Sequence, residues 1–239
     1  MADSRDVFLA RIRHSLGGDG RDTAAAERRL ADRPRGPVPA RGQLAAPARL
    51  DLFQAMAEEA SATVVRLAAA SDIPAEIARY LAQENLPAEI RLAPDPRLAA
   101  LPWSDRPLLT VTSGISDGND AVSLTSALAG VAETGTLALV SGPDTPTTLN
   151  LLPDTHIVVL STGGIVGTYE EVWTRLRARY GDGVMPRTLN FITGPSRSAD
   201  IEQKLQMGAH GPRRLHILLV DADDLDSRDQ APRQTRPGA

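Results

Sequence analysis

The sequence predicts an α/β fold, a mainly parallel sheet with helices on both faces. Three observations predict it. Short apolar runs of β type alternate along residues 48–221 with segments whose apolar positions recur at spacings of three and four. Two of those runs, Ile-Val-Val-Leu at 157–160 and Ile-Leu-Leu-Val at 217–220, are apolar throughout, as strands covered on both faces must be. And 239 residues, 42% hydrophobic and 23% charged, suffice for one substantial domain plus an arm.

Residues 1–18 read as a helical arm: Asp3 or Ser4 caps a helix over 4–16, Phe8, Ile12 and Leu16 share one face, and Gly17-Gly18 stops it. Pro34, Pro37, Pro39 and Pro47, set among arginines and alanines, make 19–47 a linker in which 24–30 has the composition of a short helix. The compact domain is expected over 48–221. Its predicted strands are 63–67, 90–92, 108–112, 136–141, 156–161, 189–193 and 215–220; its predicted helices are 50–60, 75–84, 169–180 and 199–207. The glycines at 163, 164 and 167 are expected to open the third of those helices. Residues 222–239, acidic and almost without large apolar side chains, are expected to be a mobile tail.

Composition excludes several functions. With no cysteine, the chain forms no disulfide, has no thiol nucleophile and holds no thiolate-bound zinc or iron–sulfur cluster by itself. All basic residues but Lys204 are arginines, which reads as compositional bias. A pI near 5.6 with only two Trp, three Tyr and three Phe argues against a nucleic-acid binder. The N-terminus lacks an apolar signal core, and no run approaches the roughly 18 apolar residues of a membrane span, so no integral membrane segment is expected and the cytoplasm is the expected compartment. Phosphate-loop, dinucleotide and nucleophile-elbow motifs are absent, so no cofactor is expected on this chain.

Three segments can carry chemistry. Thr188 to Glu202 reads as strand, tight turn at Gly194-Pro195, then helix N-terminus; unpaired amides there, with Ser196, Arg197 and Ser198, suit an anion at the carboxyl end of a strand. The plainer alternative makes Ser198 a helix cap and pairs Arg197 with Asp200. In 130–140, Glu133 and Thr134 stand beside Gly135, where a substrate could approach the backbone and a carboxylate could act as base or nucleophile; a surface turn is the alternative. His210, between small residues in Gly208-Ala-His-Gly-Pro212, can move protons or bind an anion, or simply be a satisfied loop histidine. No second histidine stands at metal-ligand spacing.

Ala132-Glu-Thr-Gly-Thr136, Leu152-Pro-Asp-Thr-His-Ile-Val-Val159, Gly194-Pro-Ser-Arg-Ser-Ala-Asp-Ile-Glu202 and Gly208-Ala-His-Gly-Pro212, in this order and with Asp120 ahead of them, resemble the LUD domain of the lactate-utilisation protein C family, also called the YkgG family. The resemblance covers residues 48–221. Ser198 stands where a threonine is commoner in the family and keeps its hydroxyl. The resemblance implies a fold akin to the sugar-phosphate isomerase and CoA-transferase superfamily. It also implies a non-cluster subunit or accessory factor of a system oxidising L-lactate to pyruvate, beside partner subunits that hold the iron–sulfur clusters. On that reading Glu133 and His210 are the catalytic candidates, and Thr134, Gly135, Gly194, Ser196, Arg197 and Ser198 bind a small organic anion. The alternatives are an independent CoA-transferase-like, phosphosugar or organic-acid enzyme, and a regulatory binding module.

Overall fold

Six strands form one parallel sheet in the order β1 (Thr63–Leu67), β12 (Arg214–Val220), β7 (Thr155–Ser161), β4 (Val122–Ser126), β2 (Glu89–Leu92), β3 (Thr110–Ser113). The computed structural model describes residues 4–16, 23–201 and 204–221. β7 is buried at all seven positions, which is why its sequence shows no alternation: it lies inside the sheet with a layer on each face. Alternate residues nonetheless go to different cores. Ile157 and Val159 of β7, with Leu218 and Val220 of β12, pack under α4 (Ile73–Gln83) and α5 (Pro96–Ala99). Val158, Leu160, Ile217 and Leu219 face Phe53 and Ala57 of α3 (Ala46–Glu59) and Leu137 and Leu139 of a second sheet.

That second sheet has the order β8 (Ile165–Val166), β5 (Ala129–Val131), β6 (Thr136–Val140), β9 (Leu189–Ile192); β5–β6 and β6–β9 are antiparallel and β5–β8 is parallel. Its far face is covered by α7 (Tyr169–Tyr180) through Val172 and Tyr169. The α/β reading and the mainly parallel sheet stand. Helices lie on both faces, but α3 shares its face with the second sheet. Two strands read as part of the parallel sheet, 136–141 and 189–193, belong to that second sheet instead.

β4 and β5 escaped the sequence reading because Val-Ser-Leu-Thr-Ser looks half polar. Its hydroxyls are buried and satisfied by distant partners: Ser123 Oγ donates to the Leu149 carbonyl of α6 (Thr148–Leu151) at 2.6 Å, and Thr125 Oγ1 lies 2.8 Å from His156 Nε2. The glycines of 163–167 form a short turn and then β8. α7 opens after them, at a capping box in which Thr168 and Glu171 satisfy each other's backbone amides.

The helix expected over 199–207 is a correction. The backbone there makes β10 (Arg197–Ile201) and β11 (Lys204–Met207), an antiparallel ribbon pairing Arg197 with Met207 and Ser198 with Gln206. Ile201, Leu205 and Met207 fit a period of two as readily as one of 3.6, so periodicity in so short a run does not choose. The base of the ribbon is tied by Gly208 N to Ser196 O at 2.9 Å and by Ser196 N to Pro212 O at 2.8 Å.

The chain divides into two units, Met1–Pro37 and Val38–Ala239. The first contains α1 (Ser4–Ser15) and α2 (Thr23–Asp32), neither with a buried residue. The second begins ten residues ahead of the boundary at 48 read from the sequence, because buried Gly42 packs against Gly167, where a Cβ on either would collide with the other's backbone. The expected Gly17-Gly18 stop and the tail at 222–239 lie outside the described residues.

Candidate functional site

Glu133, Thr134 and Gly135 form the turn between β5 and β6. Glu133 is 5% exposed, and its Oε1 accepts from the Tyr169 backbone amide at 3.3 Å, in the first turn of α7. A carboxylate at a helix N-terminus is electrostatically favoured, which explains its burial structurally. Beside it the hydroxyls of Thr134, Thr136 and Tyr169 form a triangle with sides of 2.7, 2.9 and 3.0 Å, and Thr136 reaches Thr193 at 2.6 Å. Gly135 has φ +64°, and a Cβ there would stand 2.2 Å from the Ala57 nitrogen. The close approach expected at this glycine is made by α3, not by a substrate.

The second group gathers at the end of β9. Gly194 has φ +70°, and its ideal Cβ would lie 2.0 Å from the Ala60 carbonyl oxygen, again at the end of α3. Arg197 Nη2 donates to that same carbonyl at 3.0 Å and Nη1 to Ser61 Oγ at 3.4 Å, so the guanidinium closes one carbonyl at the helix end and the hydroxyl beside it. His210 is exposed, and its backbone amide donates to Ser196 Oγ at 3.3 Å. Only the backbone of Ser198 is described, and the side chain of Asp200, the partner considered for Arg197, lies outside the described residues. Since a ribbon follows Gly194-Pro195, no helix N-terminus is available to an anion there.

Gly194, Ser196, Arg197 and His210 line one cavity of about 360 Å³ with Asn150 and Thr193, on apolar walls that include Ile192 and Leu215. Glu133, Thr134 and Gly135 do not line it. Of the three, Thr134 is linked to the lining residue Thr193 through the Thr136 hydroxyl. No described acidic residue is in the lining. The cavity is at the carboxyl end of β9, as expected, but β9 is in the second sheet. For the parallel sheet this is the amino end, where α6 leads into β7 and Pro212 into β12.

Sequence reasoning missed Asn150, which nothing in Thr-Leu-Asn-Leu marks out. It also missed a cluster at the opposite end of the parallel sheet. There Asp95, 2% exposed, accepts from Ser126 Oγ at 2.7 Å and from Arg97 Nη2 at 2.8 Å, and the same Nη2 donates to Ser126 Oγ at 2.9 Å. Burial would raise the Asp95 carboxyl; the bonds from Arg97 and Ser126 outweigh it and hold the group below the usual carboxylate range. The Asp-Pro-Arg start of α5, an N-cap followed by proline, was the available signal.

Two histidines are buried neutral. Burial lowers His156 to about 3 and leaves its Nδ1 without a partner. His216, stacked on Tyr80 at 3.9 Å, is lowered by burial to about 4 despite the opposing pull of Glu76. Among the described residues no group of three His, Cys, Asp or Glu could hold a metal ion, and no helix is long and apolar enough to cross a membrane.

A family model of the LUD domain matches residues 118–220, from the loop before β4 to the end of β12. Over that stretch the chain is similar to the LUD domain. Proteins called lactate utilization protein C from Bacillus subtilis and Bacillus licheniformis are 40% identical over 91 residues and 37% over 92, in each case 38% of this chain and 38% of the relative. An uncharacterised protein of Neisseria meningitidis is 39% identical over 101 residues, 42% of each chain. The match thus spans about two fifths of the length of these curated relatives. The crystal structure of a DUF162 family protein from Deinococcus radiodurans superposes with a TM-score of 0.55 and 25% identity, covering 74% of this chain and 99% of that one. The LUD domain matched by the family model contains β9, the ribbon, His210 and Asn150, and excludes the α3 backbone on which Gly135 and Gly194 rest.

Proposed function

We propose that this protein acts in lactate utilisation, as the subunit without an iron–sulfur cluster beside cluster-bearing partners, in a system oxidising L-lactate to pyruvate. The observation that carries the reading is the 37–40% identity to proteins named lactate utilization protein C. Its cysteine-free sequence fits that division of labour. The cavity suits a small carboxylate: Arg197 uses two of its donors on Ala60 and Ser61 and keeps the rest of its five for a ligand, His210 stands beside it, and no described acid opposes them. The CoA-transferase alternative rests on fold kinship alone once the Glu133 carboxylate is seen buried on the α7 amide, outside the cavity.

Deleting the gene in its native host should abolish growth on L-lactate while sparing growth on pyruvate. Affinity purification from that host should bring down brown, cysteine-rich chains. Normal growth on lactate without the gene would sink the proposal. A colourless lone protein that transfers CoA would replace it with the alternative, and lactate binding that exchanges partners without turnover would make it a regulatory module.

A further inference from the structure

Asn150 is 3% exposed, and the surface it keeps lines the cavity. Its backbone amide is used on Thr147 O at 3.0 Å; its carboxamide bonds to no described residue and is not among the fully enclosed unpaired groups, so its polar atoms open onto the cavity. Buried amides in folded proteins are nearly always paired, and the nearby buried hydroxyls Ser123 and Thr125 are. An unpaired carboxamide in a cavity wall is poised for a ligand, and it offers donor and acceptor together.

We propose that Asn150 reads the α-oxygen of a 2-hydroxy acid in this cavity, and so sets a preference for the hydroxy acid over the 2-oxo acid. The inference rests on the small-carboxylate reading above. A 2-hydroxy acid answers both functions of the amide: its hydroxyl donates to Oδ1, while a hydroxyl or carboxylate oxygen accepts from Nδ2. A 2-oxo acid has no donor at that carbon and, once seated, sets an acceptor against Oδ1, which selects against it. Arg197 and His210 then serve the carboxylate, and Ile192 and Leu215 the alkyl group. Asn150 is a specificity residue on this account, with no part in moving electrons or protons.

The test is calorimetric titration of the full chain with L-lactate and with pyruvate. The wild type should bind L-lactate roughly 10- to 100-fold more tightly. Asn150→Ala should bring the two acids within about threefold of each other, and Asn150→Asp, of the same shape, should weaken both by setting a carboxylate against a carboxylate. Thermal melts show whether each variant is folded, and the wild-type ratio is informative without either. Equal binding of both acids by the wild type, or an unchanged preference in folded Asn150→Ala, overturns the role of Asn150 and leaves the carboxylate reading intact. Binding of neither acid at millimolar concentration overturns both.

Discussion

At the carboxyl ends of β2 and β4, Asp95, Arg97 and Ser126 close a ring of contacts of 2.7 to 2.9 Å; at the amino ends of β7 and β12, the Asn150 carboxamide lines a cavity with no described residue bonded to it. One end of the sheet is polar and satisfied, the other polar and waiting. A paired cluster is explained by the fold that it holds, whereas a carboxamide that no described residue pairs, opening onto a cavity, is free to bond a ligand. Position points the other way, since open parallel sheets usually bind at their carboxyl ends. The pairing of the groups is the stronger guide here, because it reports on these residues and not on a class of folds.

Acid should separate the two ends most strongly. His156 and His216, in the amino-terminal halves of their strands, are lowered to about 3 and about 4, so from about pH 6.5 downward the unfolded chain takes up protons that the folded one refuses. Their stabilisation is complete above pH 6.5 and drains as pH falls, by about 1.4 kcal/mol per unit for each, or about 4 kcal/mol for both between pH 6 and 4.5. Asp95, held below its usual range, loses its contribution only at lower pH, as the unfolded carboxyl begins to bind protons near 3.8. Urea titrations at the two pH values measure this, and a flat profile above pH 4.5 would break the contrast.

Asp95→Ala comes next. It leaves Arg97, whose side chain is 17% exposed, without its carboxylate and should cost about 3 kcal/mol in urea unfolding. Acid binding at the far cavity should stay unchanged, and lost binding in a folded variant would show that the ends are not independent. Gly194→Ala should cost about 2 kcal/mol, from its positive φ and the collision with the Ala60 carbonyl. Gly118→Ala, with φ +98° but nothing within 4 Å, should cost less and serves as the control. The smallest effect is expected for Arg197→Ala. Loss of the α3 end bonds should remove about 1 kcal/mol from stability, and acid binding should weaken about tenfold, with Arg197→Lys restoring only part because an ammonium lacks the planar fork. Weakened binding with an unchanged melt would make the arginine a ligand residue alone; the reverse would make it only a clasp on α3.

Much of the fold was legible in local pattern. The runs that became β1, β2, β7 and β12 and the helices α3, α4 and α7 declared themselves through length, apolar periodicity and stop residues. The signature segments pointed to the LUD domain and to four residues of the cavity, Gly194, Ser196, Arg197 and His210. Local pattern failed where two periods fit equally, as in the ribbon β10–β11, and where hydroxyl-rich β4 hid its burial.

The amino-acid order by itself determined that buried strands alternate with amphipathic helices, that no thiol chemistry is available, and which loops carry serine, arginine and histidine. Only the tertiary structure decided what those loops meet. Arg197 finds its carbonyl 137 positions away at Ala60, Glu133 finds its amide 36 positions away at Tyr169, and the Asn150 carboxamide finds no partner among the described residues. Backbone preference and apolar periodicity act within a few residues and are written in the order of the chain. The pairing of a buried polar group depends on which distant segment the packed core brings against it, and that is settled when the layers close.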